Sequence, residues 1–310
     1  MSTRAETTGQ AAVFGLGSMG LGMARSMQRA GLEVIGYDVN PAAVERFRSN
    51  GGRTANTALE AARDADIVVC VVVTSAQTEA LLFGQNGIAG AMKSGAVFIS
   101  SATMDPAAAR DLSQRVAALG LCYLDAPVSG GTARAASGEL TIMASGSADA
   151  FEKARPALDA LASKVYQLGD TAGTGAAFKM INQLLAGVHI AAACEAISFA
   201  AKQGLDLDKV YEVITASAGN SWMFENRVPH VLAGDYSPLS TVEIFVKDLG
   251  IVQDMARSER FPVPVVAAAL QMYLAASGAG MGSDDDSSLA RLYAQLSGTT
   301  LPHTSGGPRE

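Results

Sequence analysis

Lys179 lies in a long, largely apolar segment that runs from about Gly175 to Gly204. The composition of this segment predicts one helix that is apolar nearly all round and is therefore buried against other helices or another subunit. Because an ammonium group is costly to bury, desolvation should lower the pKa of Lys179 and make proton exchange with a hydroxyl feasible. Asn182, three residues later on the same helix face, could orient the amine or a bound oxygen. The alternative is that Lys179 reaches the surface along its aliphatic stem.

A glycine-rich turn, GLGSMG, lies between a predicted strand and a predicted helix. Gly15 permits a tight turn, Gly17 lets the backbone approach a pyrophosphate, and Gly20 allows the helix to pack closely on the strand. The N-terminus of the helix would face the phosphates. The alternative is that these glycines only make a turn. The predicted dinucleotide-binding residues of this turn are Gly15, Leu16, Gly17, Ser18, Met19 and Gly20.

Asp38 ends the second predicted strand, about 20 residues beyond the glycines, where a carboxylate can accept both ribose hydroxyls. The same carboxylate would repel a 2′-phosphate. Val39 and Asn40 supply no arginine for such a phosphate, although Arg46 and Arg48 lie in the following helix. These residues favour NAD over NADP as the cofactor.

Short apolar runs alternate with longer amphipathic segments up to about residue 168, as strands and helices do in an α/β domain. Most of the runs are β-branched and apolar on both faces, which is typical of a parallel sheet covered by helices on each side. The clearest strand candidates are residues 11–15, 33–38, 66–72, 96–100 and 121–125. Two later runs, at 140–145 and 164–169, are expected to extend the same sheet.

The second half of the sequence is predicted to be helical, because strand-like alternation ends after residue 169 and Ala-, Leu- and Met-rich segments follow. The predicted fold is therefore α/β, with a doubly wound Rossmann domain at 1–168 followed by an all-α domain at 169–298. The helical domain is expected to serve substrate binding and oligomerisation, as a homodimer or homotetramer. The Gly-, Ser- and Pro-rich tail at 299–310 is expected to be flexible.

The overall composition excludes several classes of partner. The 310 residues carry a formal net charge of −7, which disfavours binding to nucleic acid or to an anionic membrane. The N-terminus has no apolar region of a signal peptide, and no strongly apolar stretch of membrane-spanning length was identified, so the expected location is cytoplasmic. A small molecule is the expected ligand.

No metal site is predicted. Cys70, Cys122 and Cys194 stand in apolar runs without metal-ligand spacing, and we interpret them as core residues in a reducing compartment. His189 and His230 lack a ligand at a suitable spacing. The acidic run at 284–286 has no calcium-loop pattern and is predicted to be a solvated face.

Four motifs in order along the chain together resemble the β-hydroxyacid dehydrogenase family. They are GLGSMGLGMA at 15–24, DAPVSGGTARAASGELTIMASG at 125–146, GTGAAFKMINQLL at 173–185 and VEIFVKDLG at 242–250. The resemblance covers residues 10–295 and implies NAD-dependent oxidation of a small hydroxy acid. It identifies Lys179 as the catalytic acid/base and Asn182 as its companion amide. The family usually has a second Asn after the first, but this sequence has Gln183, so the role of that position is open.

The resemblance also assigns residues to the ligands. Ser129, Gly130 and Gly131 match the segment that binds the substrate carboxylate through a hydroxyl and backbone N–H groups. Without the resemblance, this segment could be only a loop after a strand. The matching cofactor contacts are Val73, Thr74, Thr103 and Lys247.

Each of these cofactor contacts has a simpler interpretation or a departure from the pattern. Lys247 could instead be an ion-pair partner of Asp248 or Glu243. Thr103 could cap or turn the chain beside Asp105. The family usually has Leu-Pro where this sequence has Val-Thr at 73–74, so the rigidity of that backbone contact is in question.

The segment GNSWMF at 219–224 contains the single Trp of the sequence. A lone Trp such as Trp222 is more often a core residue. Asn220 and Ser221 could contact substrate hydroxyls, as a polyol acid would require.

Other family substrates, 3-hydroxyisobutyrate and tartronate semialdehyde among them, remain alternatives. Imine reductases commonly replace the lysine, and non-catalytic dinucleotide-binding relatives lose it or gain a basic segment, and neither change is seen in this sequence.

Overall fold

The computed structural model describes residues 9–302, which divide into two compact units. The first unit ends at Met180 and the second begins at Ile181. This division falls inside a helix, later than the predicted boundary between residues 168 and 169. Most of the predicted flexible tail at 299–310 lies outside the described residues.

The first unit contains a six-stranded parallel sheet. Its strands are β1 (Gln10–Phe14), β2 (Glu33–Tyr37), β3 (Arg53–Thr54), β4 (Ile67–Cys70), β5 (Val97–Ser100) and β6 (Cys122–Asp125). Their order is β3-β2-β1-β4-β5-β6, with every neighbouring pair parallel. The order therefore reverses between β1 and β4, and ligands of such sheets bind at the carboxyl ends of the strands beside this switch point. The five strand candidates and the doubly wound α/β architecture are confirmed.

Helices cover both faces of this sheet. They are α1 (Gly20–Arg29), α2 (Pro41–Ser49), α3 (Ala58–Arg63), α4 (Ser75–Phe83), α5 (Pro106–Ala117), α6 (Gly131–Ser137) and α7 (Ala148–Leu161). Alternate residues of β1 enter different cores: Ala11 and Val13 pack on one side, and Ala12 and Phe14 pack on the other. A strand buried on both faces must be apolar throughout, which explains the unbroken apolar runs.

A second, three-stranded sheet follows the main one. It consists of β7 (Val128–Ser129), β8 (Leu140–Ala144) and β9 (Ala162–Gln167), with β7 antiparallel and β9 parallel to β8. The expectation that residues 140–145 and 164–169 extend the main sheet is therefore wrong. An antiparallel bridge between Asp125 and Ser145 joins the two sheets. Pro127 offers no N–H group at this point, and the reversal of β7 ends the parallel ladder.

The second unit is helical, as predicted. Its helices are the greater part of α8 (Thr174–Lys202), then α9 (Leu207–Thr215), α10 (Trp222–Ala233), α11 (Val242–Ser258), α12 (Pro264–Ala276) and α13 (Leu289–Ser297). Gly187 in α8 lets α11 approach, since a Cβ there would lie 2.8 Å from the Phe245 ring. Tyr273 of α12 stacks on Phe245 and donates its hydroxyl to the Gly187 carbonyl at 2.9 Å.

The acidic run at 284–286 is not a solvated face, contrary to the sequence-based prediction. Asp285 and Asp286 are fully buried. Asp286 forms a bidentate ion pair with Arg227, in which Nε donates to Oδ1 at 2.5 Å and Nη2 donates to Oδ2 at 3.1 Å. Asp285 accepts hydrogen bonds from the Leu239 N–H and from Ser287. Arg227 and Leu239, which lie 59 and 46 residues before their acidic partners, help to satisfy these carboxylates, and composition alone cannot reveal such partners.

Candidate active site

The glycine turn after β1 leaves open space in its middle. Gly15 has a φ of +91°, and a Cβ there would lie 2.3 Å from the Val71 carbonyl oxygen. A Cβ on Gly20 would lie 1.8 Å from the carbonyl oxygen of Gly15, so both positions require glycine. A Cβ on Gly17, by contrast, would have nothing within 4 Å. The turn therefore fits a pyrophosphate above Gly17, at the start of α1.

The other residues of the turn divide between core and surface. The Leu16 side chain is fully buried, so only its backbone could serve a ligand. Ser18 is exposed, whereas Met19 is half-buried and packs against the core below α1. Ser18 is therefore the side chain of the turn best placed for a ligand phosphate.

Asp38 lies beside the glycine turn, at the end of β2. Its Oδ2 accepts the Leu16 N–H at 2.6 Å, and its Oδ1 accepts the Asn40 N–H at 2.7 Å. These bonds fix the orientation of the carboxylate against the turn. Each oxygen has a further lone pair with which to accept a ribose hydroxyl.

Val73 and Thr74 follow β4 at the same carboxyl edge of the sheet. The Thr74 side chain accepts the Gln77 N–H at 3.1 Å, while Gln77 Oε1 accepts the N–H groups of Thr74 at 3.1 Å and Val73 at 2.9 Å. This reciprocal capping box begins α4. It gives the segment a local constraint in place of the proline that the family pattern usually has.

Thr103 lies in the loop between β5 and α5, again at the carboxyl edge. The cap of α5 is Asp105, whose Oδ1 accepts the Ala107 N–H at 2.6 Å. Thr103 is therefore not the N-cap residue, which was one of its two simpler interpretations; the other was a turn role beside Asp105.

Ser129 ends β7, Gly130 follows it, and Gly131 begins α6. Gly130 has a φ of +133° and Gly131 a φ of +72°, backbone conformations that favour glycine. A Cβ on Gly130 would also lie 2.8 Å from Cδ of Arg134. The Ser129 side chain is half-buried. The segment thus presents a hydroxyl and a backbone without side chains at residues 130 and 131, which suits a carboxylate ligand.

Lys179 lies on α8, near the start of the helix, and is only 8% exposed. The simpler interpretation, a lysine that reaches the surface, does not fit this degree of burial. Asn182 follows one helical turn later and is half-buried. An amine shielded from bulk water and followed by an amide at this spacing suits proton transfer with a bound hydroxyl.

Gln183 belongs to a buried polar chain inside the second unit. Its Oε1 accepts Nδ2 of Asn182 at 3.0 Å, and its Nε2 donates to Oδ2 of Asp248 at 2.5 Å. The other carboxylate oxygen of Asp248 forms an ion pair with Lys247 at 2.8 Å. Gln183 is 7% exposed and Asp248 1%. The sequence analysis did not predict that Gln183 connects Asn182 with Asp248. The adjacent residues Lys247 and Asp248 were the signal that could have revealed it.

Asn220 and Trp222 lie at the start of α10 in the second unit. Nδ2 of Asn220 donates to the Thr215 carbonyl at 3.1 Å and to Oε1 of Glu225 at 2.5 Å, while its buried Oδ1 has no hydrogen-bond partner among residues 9–302. Ser221 caps α10. Trp222 is 53% exposed, so it is not the core residue that a lone Trp usually is.

A parallel sheet with a glycine turn at its switch point, followed by a helical unit, defines the class of two-domain dinucleotide-binding dehydrogenases. Residues 10–169 match the model of the NAD binding domain of 6-phosphogluconate dehydrogenase. Residues 173–293 match the model described as NAD-binding of NADP-dependent 3-hydroxyisobutyrate dehydrogenase.

Individual relatives cover nearly the whole chain. An L-threonate dehydrogenase of Cupriavidus necator is 54% identical over 91% of this chain and 95% of its own length. One of Haemophilus influenzae is 51% identical over 94% and 96%. A crystal structure of 3-hydroxyisobutyrate dehydrogenase from Salmonella typhimurium is 50% identical, has a TM-score of 0.87 and covers 91% of this chain and 99% of its own.

The chain belongs to the 3-hydroxyisobutyrate dehydrogenase-like family of β-hydroxyacid dehydrogenases, which act on CH–OH groups with NAD(P). The resemblance drawn from the four motifs is confirmed. Contrary to the expectation that no apolar stretch reaches membrane-spanning length, helix α8 and the segment Pro264–Met281 are long and apolar enough to cross a membrane, but in this soluble dehydrogenase family they are core helices.

Proposed function

We propose that this protein oxidises L-threonate at C2 to the 2-oxo acid, with NAD as cofactor and Lys179 as general acid/base. The observation that carries the reaction type is the shielded amine of Lys179 on a helix that begins beside the end of β6. The substrate assignment is supported by the roughly 50% identity to relatives named L-threonate dehydrogenase. This activity belongs to carbohydrate metabolism.

In the proposed reaction, the hydroxyl of Ser129 and the backbone N–H groups of Gly130 and Gly131 hold the substrate carboxylate. Lys179 accepts the proton of the C2 hydroxyl, and Asn182 orients the amine or that oxygen. The glycine turn and Asp38 would hold NAD, whose nicotinamide would supply the hydride acceptor for C2. The protein thereby supplies position, exclusion of water and a proton acceptor.

The preference for NAD over NADP rests on Asp38. Its carboxylate is held beside the glycine turn by the N–H groups of Leu16 and Asn40, where a 2′-phosphate would bring a second negative charge close to it. The turn residues 15–20, together with Val73, Thr74 and Thr103, are the proposed cofactor contacts of the first unit. Lys247 is the proposed contact from the second unit.

We further propose a cytoplasmic homodimer or homotetramer. Within the second unit, one face of α8 exposes Ile181, Leu185, Ala192 and Phe199, which recur at helical spacing. A second copy of the chain would remove this apolar stripe from water. A concentration series in the analytical ultracentrifuge that found only monomer would reject this association.

The second candidate is 3-hydroxyisobutyrate, because the related Salmonella typhimurium structure carries that activity in its name. Tartronate semialdehyde is a further alternative within the family. Purified enzyme should be assayed for NADH production with L-threonate, D-threonate, 3-hydroxyisobutyrate and glycerate, and for NADH consumption with tartronate semialdehyde. The proposal predicts the highest kcat/KM for L-threonate. A higher value for any of the other compounds would replace it.

A further inference from the structure

The first turn of α8 is held by side chains from outside the helix. The N–H groups of Gly173 and Ala176 both donate to Oδ2 of Asp125, at 2.9 Å each. The Gly175 N–H donates to Oγ of Ser145 at 2.9 Å. The first N–H groups of a helix have no acceptor within the helix, and these three bonds supply acceptors for most of them.

The two acceptors are themselves fixed. Asp125 and Ser145 exchange backbone hydrogen bonds of 3.0 and 2.8 Å, and Oγ of Ser145 lies 3.3 Å from Oδ2 of Asp125. Asp125 is 1% exposed and Ser145 fully buried. A Cβ on Gly175 would lie 2.3 Å from the Met143 carbonyl oxygen, so glycine is needed for the helix to begin this close to the sheets.

This arrangement differs from the other capped helices of the first unit. In five of them the cap is the residue directly before the helix; these are Asn40, Thr57, Thr74, Asp105 and Ser147. The acceptor for α8 instead comes from a residue that is 48 to 51 positions earlier in the chain. A helix of 29 residues needs no such cap in order to form.

The position of Asp125 also carries a penalty. Burial raises the pKa of this carboxyl group, even though three hydrogen bonds act to lower it. A carboxylate in such a place is a poor choice for helix stability alone. What it does achieve is a tertiary link between two segments that matter for the reaction.

One of those segments carries Lys179, which follows Ala176 by three residues on α8. The other carries the substrate-binding residues, since Ser129 follows Asp125 by four residues. We propose that Asp125 is a positioning residue of the dehydrogenase, which holds the first turn of α8, and with it the Lys179 amine, in a fixed place relative to Ser129–Gly131. Ser145 assists it. This inference rests on the proposed function, in which the amine and the carboxylate-binding segment act on the same substrate.

The kinetic test compares Asp125→Ala, Asp125→Asn and Ser145→Ala. A displacement of the amine by about 1 Å should lower kcat for the preferred hydroxy acid by about 100-fold in Asp125→Ala. The Kd for NADH should stay within about two-fold, because the glycine turn is untouched. Asp125→Asn should retain kcat within about five-fold, since an amide oxygen can accept the same three bonds. Ser145→Ala, which loses one bond to the helix and one to Asp125, should fall between them.

Thr57→Ala serves as the matched control, because it removes a helix cap in the same unit without touching α8. Rates are expressed per NADH-binding site, so that unfolded protein does not enter kcat. Thr57→Ala should keep the wild-type kcat. If Asp125→Ala lost stability but kept kcat within about three-fold of wild type, Asp125 would have only a structural role and the inference would be overturned. Ser145→Ala applies the same criterion if Asp125→Ala does not fold.

Crystal structures of wild type and Asp125→Asn or Ser145→Ala separate this inference from the proposed function. Positioning predicts that the Cα of residue 179 shifts relative to that of Ser129 in Ser145→Ala and not in Asp125→Asn. An unmoved α8 in Ser145→Ala, with wild-type kcat, would contradict positioning even in an active dehydrogenase. A wild-type protein that binds NADH yet oxidises no hydroxy acid would instead reject the function, and the crystallographic result would still decide how α8 is held.

Discussion

The side-chain amide of Gln183 donates to the buried carboxylate of Asp248 at 2.5 Å. The same carboxylate forms an ion pair with Lys247, and the side-chain oxygen Oε1 of Gln183 accepts a hydrogen bond from the side-chain Nδ2 of Asn182. Gln183 stands where the family pattern usually has Asn, and its side chain is one methylene longer. The residue therefore links an amide proposed to face substrate with a lysine proposed to face the cofactor.

Replacing Gln183 with Leu should lower the free energy of unfolding by about 1–3 kcal/mol, because the carboxylate of Asp248 and the amide of Asn182 each lose a buried partner. It should also raise KM for the hydroxy acid, since Asn182 would no longer be held. Urea denaturation and steady-state kinetics measure the two effects.

Ser198→Ala is the matched control for Gln183→Leu, because Ser198 is also buried on α8 and donates to the Ala290 carbonyl at 3.3 Å. It should lose stability without a change in KM. Equal KM values for Gln183→Leu and wild type would remove Gln183 from the substrate-binding network.

Lys179→Ala should lower kcat by about 10²–10⁴-fold, the usual contribution of a general acid/base, and leave the Kd for NADH nearly unchanged. Stopped-flow measurement of the hydride-transfer step with the preferred hydroxy acid checks the loss directly. Lys202→Ala, at the exposed end of the same helix, is the control and should keep the wild-type rate. A Lys179→Ala enzyme with near-normal turnover would disprove the proposed mechanism.

Asp38→Ala should reduce the preference for NAD over NADP by at least about ten-fold in kcat/KM. Removing the carboxylate takes away the ribose acceptor and the charge that opposes a 2′-phosphate. The Leu16 and Asn40 N–H groups also lose their acceptor, so part of the effect will come from a looser turn. Equal use of both cofactors by the wild-type enzyme would contradict the assignment at once.

Local patterns were enough to predict the glycine turn, the parallel strands and the extent of α8. Each of these depends on residues that are near in sequence: Gly15 and Gly20 follow directly after β1, and the α8 residues share one long apolar composition. Periodicity reports which faces are apolar, and in this chain the fold buries most of those faces but leaves one apolar face of α8 exposed.

Polar contacts between residues that are far apart in the chain could not be predicted from the sequence. Asp125 acquires its role from N–H groups about 50 residues away, and Asp286 from Arg227, 59 residues away. From the sequence alone, an acidic side chain is predicted to be exposed to solvent, because burying a charge without a partner is unfavourable. The error for Asp285 and Asp286 and the missed role of Gln183 have this common cause.

Asp286 provides a pH-dependent test of this buried ion pair. Burial raises its pKa from 3.8 to about 6, despite the opposing attraction of Arg227. Between these pH values the folded chain keeps a proton that the unfolded chain has released. The contribution of Asp286 to stability is therefore fully present below pH 3.8 and is lost as the pH rises through about 6.

Asp286→Asn should abolish this contribution, because an amide does not titrate. The free energy of unfolding of wild type minus that of Asp286→Asn should therefore fall by about 2–3 kcal/mol between pH 4 and pH 7. Urea denaturation of both proteins at a series of pH values measures the difference, in which the other titrating groups largely cancel. Asp254→Asn, an exposed carboxyl on α11 paired only at the surface with Arg257, should give a nearly flat difference. A wild-type advantage that grew with pH for Asp286 would mean that attraction to Arg227 outweighs desolvation and that the carboxyl is already ionised at pH 4.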